Sequence, residues 1–537
     1  MVEDFRESRK AGVRKDYVFD VCVIGAGAAG SSLARRLMPT GLTVGLLESG
    51  GRDHDPRVQS LSGGERSGLD YYELDHVNLR FFGGTTAVWG GRCARLNAID
   101  FERRPWVPYS GWPFGVEELE PYYKEAMACF GLREEAPVER GTAFDPDRVR
   151  ADRWWIDEGF DRFGWHRAGD LRASPKVCIV LGATVVRLET DGRGERIARA
   201  ELASPEGAKG GVRAKAFVLC AGGIETPRLL LASRGPHWPD GLGNRRGLVG
   251  RFFMEHPHGR GARLRVDDSE AFFRRFPRFF KSGGHSCGRI YRPGEALQAE
   301  AGLLNSGFTI AVRRHPGERE AFYKQAMARV KAKVPPNAGG RMIWKGTRLA
   351  GRWSRKLLGD RPALRKLRQP EYGIYAILRA EQAPNPESRL RLTERTDAVG
   401  MPRIHLDWRF GDLEKRSAAA AMRALDAELR RLALGRAELE PWLTDADVTW
   451  RFDPLASNHA FGGYHHMGTT RMGANERVGV CDADCRVFGL DNLFLAGSGV
   501  FPTGGWANPT LTLVALALRT GDRLGRELAA NELAFGK

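Results

Sequence analysis

Two adjacent histidines stand in the stretch Tyr464 to Gly473, YHHMGTTRMG. A neutral imidazole is present near pH 7 because the ordinary histidine pKa is about 6.5, so either ring could take a proton from a substrate. A single histidine is more often a satisfied structural residue than a base, and the pair alone does not choose between His465 and His466. If the step is an oxidation, something must also accept the electrons. Residues suited to holding such an acceptor lie far upstream, where Gly25, Gly27 and Gly30 spell GxGxxG in YVFDVCVIGAGAAGSSLARRL.

Those glycines need a strand before them and a helix behind. Val18 to Ile24 is β-branched and apolar, as a buried parallel strand should be, and Ser31 to Leu37 has helical character. In that setting the first glycine allows a tight turn, the second lets the backbone approach a pyrophosphate, and the third lets helix pack on strand. The helix N-terminus adds free N–H groups and the positive end of its dipole. A second strand, Thr43 to Leu47, runs into Glu48, 18 residues beyond Gly30. Its carboxylate is placed to accept from a ribose 2′-hydroxyl, which argues against a 2′-phosphate. The segment predicts dinucleotide binding and leaves NAD and FAD open.

Further glycine-rich stretches favour the flavin. They are RFFGGTTAVWGGR (Arg80 to Arg92), FVLCAGGIETPRLLLAS (Phe217 to Ser233) and NLFLAGSGVFPTGGWANPTLTL (Asn492 to Leu513). An extended flavin dinucleotide crossing a domain must be cradled at several points distant in sequence.

With DFERR, GWP, LEPYY, VGRFFMEHPH, EQAPNPESRL and HHMGTTRMG, these stretches make the chain resemble the glucose–methanol–choline (GMC) oxidoreductases over nearly its whole length. The nearest branch by motif contains pyranose 2-oxidases and bacterial glycoside 3-oxidases. The resemblance implies an α/β plus α+β fold: a Rossmann-like FAD-binding domain assembled from residues 16–104, 172–260 and 476–537, and a substrate domain built on a large antiparallel sheet from 105–171 and 261–475. SRLRLTE from Ser388 and PRIHLDW from Pro402 alternate as strands of that sheet should.

The same resemblance implies FAD contacts at Gly25, Gly27, Gly30, Glu48, Gly83, Gly84, Thr85, Val186, Ala221, Gly222, Gly497, Asn508, Pro509 and Thr510. It makes His465, six residues before Arg471, the catalytic base, with Asn508 as its partner; His466 holds a variable position and reads as structural. Removing a hydride from an alcohol carbon is easier as negative charge grows on its oxygen, which is what a neutral imidazole provides by taking the proton. Asn508 cannot be a base, but its amide can hold the hydroxyl. Asn508-Pro509-Thr510 also reads as an N-cap and a first helical turn whose positive end faces the flavin. Pyranose oxidases carry a flavin-linking histidine where this chain has Val88, so the FAD is expected to be non-covalent. No metal site is expected. The implied reaction is oxidation of a sugar or glycoside secondary hydroxyl, with oxygen, a quinone or another carrier as final acceptor. A hydrophobic or polycyclic alcohol, or a non-redox lyase of the same family, is the alternative.

Composition bounds the rest. A chain of 537 residues exceeds what one core holds, so at least two domains are expected. The eight cysteines show no CxxC pair or zinc spacing and read as reduced thiols. The start is charged where a signal peptide is apolar, and no apolar run is long enough to span a bilayer, so a cytoplasmic location is the default. The net charge of +17 is concentrated: residues 311–368 hold seventeen Lys/Arg against Glu318, Glu320 and Asp360. A local block speaks for a solvated face or a docking surface for a membrane or acidic carrier rather than for nucleic acid. Between Trp344 and Leu358, Leu349, Trp353 and Leu357 recur among basic residues as in an amphipathic helix. FFRRFPRFFK, Phe272 to Lys281, reads equally as a pocket wall or as core strand with exposed arginines. The overall positive charge disfavours a polycationic aminosugar.

Overall fold

The computed structural model describes residues 1–9, 14–133, 143–159, 161–317, 336–457 and 459–535. The runs of buried β-branched residues around the glycine loop form the centre of an eight-stranded mixed sheet. Its order is β1 (Val2–Asp4), β7 (Val177–Leu181), β3 (Val44–Leu47), β2 (Lys15–Ile24), β10 (Lys209–Leu219), β9 (Ile197–Ala203) and β8 (Thr184–Thr190), with β19 (Leu493–Leu495) alongside β10. The strands from β1 to β10, and β19, pair in parallel, while β9 and β8 return as an antiparallel meander. The helices Ala28–Leu37 and Thr510–Phe535 pack against one another, tied by Arg36 Nη2 to Asp522 Oδ2 at 2.6 Å.

A second eight-stranded sheet is wholly antiparallel. It runs β18 (Gly435–Leu439), β11 (His258–Val266), β15 (Tyr372–Arg379), β14 (Gly307–Arg314), β13 (His285–Pro293), β6 (Val149–Ile156) and β5 (Arg92–Cys93), with β12 (Phe279–Ser282) on β13. The helix Asp412–Arg431 packs on it through Ala418, Met422, Leu425 and Leu429.

Two sequence expectations are corrected here. The alternating segments become β16 (Arg389–Thr396) and β17 (Pro402–Trp408), which pair with each other but belong to a separate three-stranded sheet, β17 running parallel to β4 (Gly64–Gly68). Alternation specifies a strand with one buried face; it carries no information about which edge that strand meets. Phe272 to Lys281 is neither one strand nor a pocket wall. The helix Ser269–Arg275 buries Phe272 and Phe273 and exposes Arg274 and Arg275, Phe276 follows into the same core, and β12 completes the stretch. All eight cysteines are free thiols. Of the basic segment, residues 318–335 lie outside the described residues, and 338–358 form one helix. Among the described residues no helix is long and apolar enough to cross a membrane.

The glycine loop follows β2 directly. A Cβ on Gly30 would stand 1.9 Å from Gly25 O, so the strand-to-helix turn closes only without a side chain there. Gly30→Ala is expected to lower stability by about 1–3 kcal/mol, as overpacking does. Denaturant midpoints of the purified variant and parent compare them directly.

Candidate active site

Three segments distant in sequence meet at the edge of the two sheets. Met254 and Met467 exchange both backbone hydrogen bonds at 3.0 Å, pinning the stretch before β11 to the HHMG stretch. The third segment, Gly504 to Asn508, follows β19 and enters the helix at Thr510. His465 sits between them. Its Nδ1 lies 2.7 Å from His256 Nδ1, and its Nε2 lies 3.0 Å from Asn508 Nδ2. His256 Nε2 is 2.7 Å from the Gly505 carbonyl oxygen.

This chain of contacts fixes the tautomers. A carbonyl only accepts, so His256 Nε2 must carry hydrogen and donate to Gly505. Burial pushes the His256 pKa down to about 4, so that ring is neutral and its Nδ1 is a bare acceptor. His465 must then donate from Nδ1, which leaves its Nε2 lone pair facing the Asn508 amide N–H. His465 is itself held neutral: burial first, then His256, His258, His459 and Arg379, pushes its pKa well below the ordinary value. The site holds an unprotonated nitrogen, turned outward, with an amide donor beside it.

The backbone of this loop is held by one buried carboxylate. Glu255 accepts from the N–H groups of His256 (2.7 Å), Gly463 (3.0 Å) and His465 (2.9 Å), and from the Tyr71 hydroxyl (2.8 Å). Burial raises its pKa and these donors oppose the rise. Tyr464 adopts φ 63°, in the left-handed region a bulky side chain seldom occupies, and the turn it makes presents His465. Gly463 leaves the room: a Cβ there would stand 2.4 Å from the His465 ring. Glu255, His256 and His465 place one ligand atom each within 4.8 Å of one another, but here they bond to each other and to the backbone.

His466 points the other way. Its Nε2 is 3.0 Å from the Tyr71 hydroxyl, its ring stacks on Phe253 at 5.9 Å, and burial pushes its pKa down to about 3. Since Tyr71 donates to Glu255, its oxygen accepts from His466 Nε2–H, making His466 a support for the carboxylate that holds its neighbour's backbone.

The residues expected to hold FAD lie mostly around the C-terminal ends of the parallel strands. Gly25, Ala221 with Gly222, and Gly497 follow the C-terminal ends of β2, β10 and β19, the crevice where open parallel sheets bind ligands. A Cβ on Gly27, Gly222 or Gly497 would meet nothing within 4 Å, so these backbones border open space, whereas one on Gly25 would stand 2.7 Å from Cys220 O. Gly83 donates to Ala26 O at 3.0 Å, and Gly84 faces Gly27 with a Cβ separation of 3.6 Å from its Cα, bringing the GGTT loop over the first turn. Thr85 accepts from Leu79 N–H at 3.2 Å. Glu48 accepts from Ala26 and Gly50 N–H at 3.1 and 2.9 Å, one bond on each oxygen, which leaves each a lone pair for a ribose hydroxyl. These open glycine backbones, parallel-strand ends and buried acid fit a dinucleotide. Val186 stands apart from the loop, at a β-bulge between β8 and β9.

The N-cap expectation for Asn508 is corrected. The first helical bond runs from Leu513 N–H to Pro509 O at 2.9 Å, and the Asn508 amide is spent on His465. His256, Glu255 and Tyr71 were missed by sequence reasoning. The signal was present in VGRFFMEHPH, where adjacent Glu255 and His256 are too polar for the apolar run ahead of them.

The family described as FAD dependent oxidoreductase matches residues 20–348, and that described as GMC oxidoreductase matches residues 384–517. Paromamine 6′-oxidase of Streptomyces fradiae is 27% identical over 576 residues, covering 97% of this chain and 93% of its own. A C-glycoside 3-oxidase of Microbacterium trichothecenolyticum is 39% identical over 136 residues, 25% of this chain and 24% of that one. A solved fungal aryl-alcohol oxidase shares the fold, with TM-score 0.58 at 16% identity over 96% of this chain and 100% of the other.

The geometry predicts distinct effects for the three histidines in anaerobic stopped-flow reduction. His465→Ala is expected to slow reduction by roughly two to four orders of magnitude, the usual worth of a general base. His256→Leu removes the acceptor for Nδ1–H and should cost roughly 10–100-fold, with His256→Gln, which keeps an acceptor, recovering most of it. His466→Ala should lower the thermal midpoint while reducing at near the parent rate. In the parent the rate falls as pH drops through the depressed His465 pKa, because the protonated ring cannot accept; it should therefore stay level from about pH 6.5 upward. A titration limb centred above that would contradict the buried, neutral ring.

Proposed function

The chain belongs to the GMC family of FAD-dependent oxidoreductases, and on that premise we propose that it oxidises a CH–OH group of a sugar or glycoside to a carbonyl. The observation that carries the reading is the outward Nε2 of His465 at 3.0 Å from the Asn508 amide. An alcohol entering there takes the place of the Asn508 amide on His465 Nε2, donating its O–H to that lone pair and accepting from the released Asn508 Nδ2–H, which orients the C–H bond. The proton passes to Nε2. The buried Glu255 carboxylate, 3.9 Å from His465 Nδ1, offsets the positive charge that results. FAD, when bound, supplies the hydride acceptor at flavin N5. Relatives named for paromamine and for C-glycosides support a sugar hydroxyl as the substrate. Oxygen, a quinone or another carrier then takes the electrons. Anaerobic bleaching of the bound flavin against free sugars, glycosides and hydrophobic alcohols tests this. Bleaching by sugars or glycosides is expected, and none by any alcohol would point to the lyase alternative.

The flavin is held without a covalent bond. Val88, which closes the short helical turn Gly84–Ala87, has no nucleophile to offer it. Acid precipitation should leave the yellow colour in the supernatant, and colour retained on the pellet would contradict this.

The helix Ala338–Leu358 docks the protein on an anionic membrane surface. It is mounted inside out. Arg341 pairs with Asp53 and Arg352 with Glu158, while Met342, Ile343, Leu349, Trp353 and Leu357 face outward, the last two 58% and 69% exposed. A surface helix ordinarily turns its apolar stripe to the core. An apolar stripe among basic residues suits the boundary between acidic headgroups and acyl chains. Sedimentation with phosphatidylserine vesicles should be salt-sensitive and lost in Leu349→Glu/Leu357→Glu. Equal sedimentation of parent and variant would leave the stripe without this role.

A further inference from the structure

Beside His465 stands a cluster of half-buried cations that the proposed proton transfer does not use. His258 lies two residues after His256 and opens β11. Arg379, the last residue of β15, is its cross-strand partner and donates from Nη1 to His258 Nε2 at 3.1 Å. His258 Nδ1 bonds to the His459 carbonyl at 3.1 Å, and the His459 ring packs against Tyr464 at 5.0 Å, next to the base. Trp154 on β6 takes two guanidinium groups, Arg379 at 5.5 Å and Arg92 at 4.9 Å from its ring centre. Among the described residues Arg313 bonds to carbonyls alone, those of Ala456 and Val312. The nearby Asp453 is taken by Arg260 at 2.7 Å.

Among the described residues this cluster is short of negative charge and holds unpartnered donors. Among the described residues neither Arg379 nor Arg313 has a carboxylate within ion-pair distance. Arg379 Nε, Trp154 Nε1 and His459 Nδ1 are buried without a hydrogen-bond partner. Burial, with Arg92 and Arg313 as neighbours, pushes the Arg379 pKa well down, the mark of a cation that the protein alone does not compensate. Such a group beside a base is where a ligand's charge belongs. With Nη1 occupied, Arg379 offers the Nε and Nη2 edge, two parallel donors that match the two oxygens of a carboxylate.

We propose that Arg379 binds a carboxylate on the substrate, so that the alcohol oxidised is that of a sugar acid, a uronic acid or its glycoside, rather than of a neutral sugar. The Arg379–His258 rung stands two residues along the chain from His256, whose ring bonds to His465. The proposal rests on the sugar-oxidation reading and narrows it. It also makes a polycationic aminosugar a poor occupant, because the charge facing the base is positive.

The test uses the FAD-loaded enzyme and matched pairs: glucose with glucuronate, methyl glucoside with methyl glucuronoside. Anaerobic reduction by the acid should half-saturate at a concentration at least tenfold below that for its neutral partner. In Arg379→Met this ratio should collapse towards one, and Arg379→Lys, which keeps charge but not the paired donors, should fall between. Equal half-saturation in the parent, or an Arg379→Met that slows both partners alike with the ratio intact, would overturn the proposal. If no sugar of either kind bleaches the flavin, the sugar reading fails and a second measurement decides this one. Acetate, glucuronate and inorganic phosphate are titrated against the visible spectrum of the oxidised enzyme. Perturbation by both carboxylates that is lost in Arg379→Met supports a carboxylate site; no perturbation, or perturbation by phosphate alone, overturns it.

Discussion

A hydrogen bond between two imidazole nitrogens has one proton, and its placement decides whether this site can act as a base. Between His256 Nδ1 and His465 Nδ1, at 2.7 Å, that proton must sit on His465 because His256 has committed its own to the Gly505 carbonyl. Were the order reversed, His465 Nε2 would carry hydrogen and offer a substrate hydroxyl a donor instead of a lone pair. A backbone carbonyl two rings away thus selects the tautomer that the proposed base needs. Gly505 holds φ 53°, and a Cβ there would stand 2.4 Å from the Asp100 carboxylate, so the carbonyl is aimed by a turn only glycine fits.

That relay couples the two halves of the molecule. His256 lies at the entry to the antiparallel sheet through β11, whereas Gly505 and Asn508 hang from β19 and the last helix of the parallel sheet. The base itself is on the loop between, fastened by Glu255 to one side and by the Met254–Met467 pairing. No local element could deliver these groups to one place. The two sheets must be built and joined before the tautomer is defined, and buried polar structure from Tyr71 to His466 holds the loop that carries it.

The sequence made part of this legible. GxGxxG, the glycine-rich stretches and the adjacent histidines could be read because their meaning is local: each glycine answers a turn or a close approach within a few residues. Gly30 against Gly25 is such a case. His256, Glu255 and Arg379 could not be read that way, since each acquires its role from a partner more than a hundred residues off or across a strand pair. The two alternating segments that became β16 and β17 mark the same boundary: the side-chain period was right, and the sheet they joined was set by a contact with β4 that no period encodes. Phe272 to Lys281 divided into helix end and strand because its aromatics suit either and the core beneath decided.

Electrostatics was the least legible of all. Total charge placed the positive excess at residues 311–368, far along the chain from the histidines, yet the folded protein sets Arg313, on β14 within that block, beside Arg379, on β15 beyond it, and Arg379 acts on His465. Burial first, then the neighbouring histidines and Arg379, keep His465 unprotonated, and the same surroundings would make an imidazolium formed in the proposed proton transfer harder to sustain. Glu255 moderates this without abolishing it, because four N–H and O–H donors already share its charge. A negative group arriving with the substrate on the proposed Arg379 site would oppose the part of this depression that Arg379 causes, raising the proton affinity of His465 as the substrate binds. On that proposal, binding and basicity are one electrostatic event.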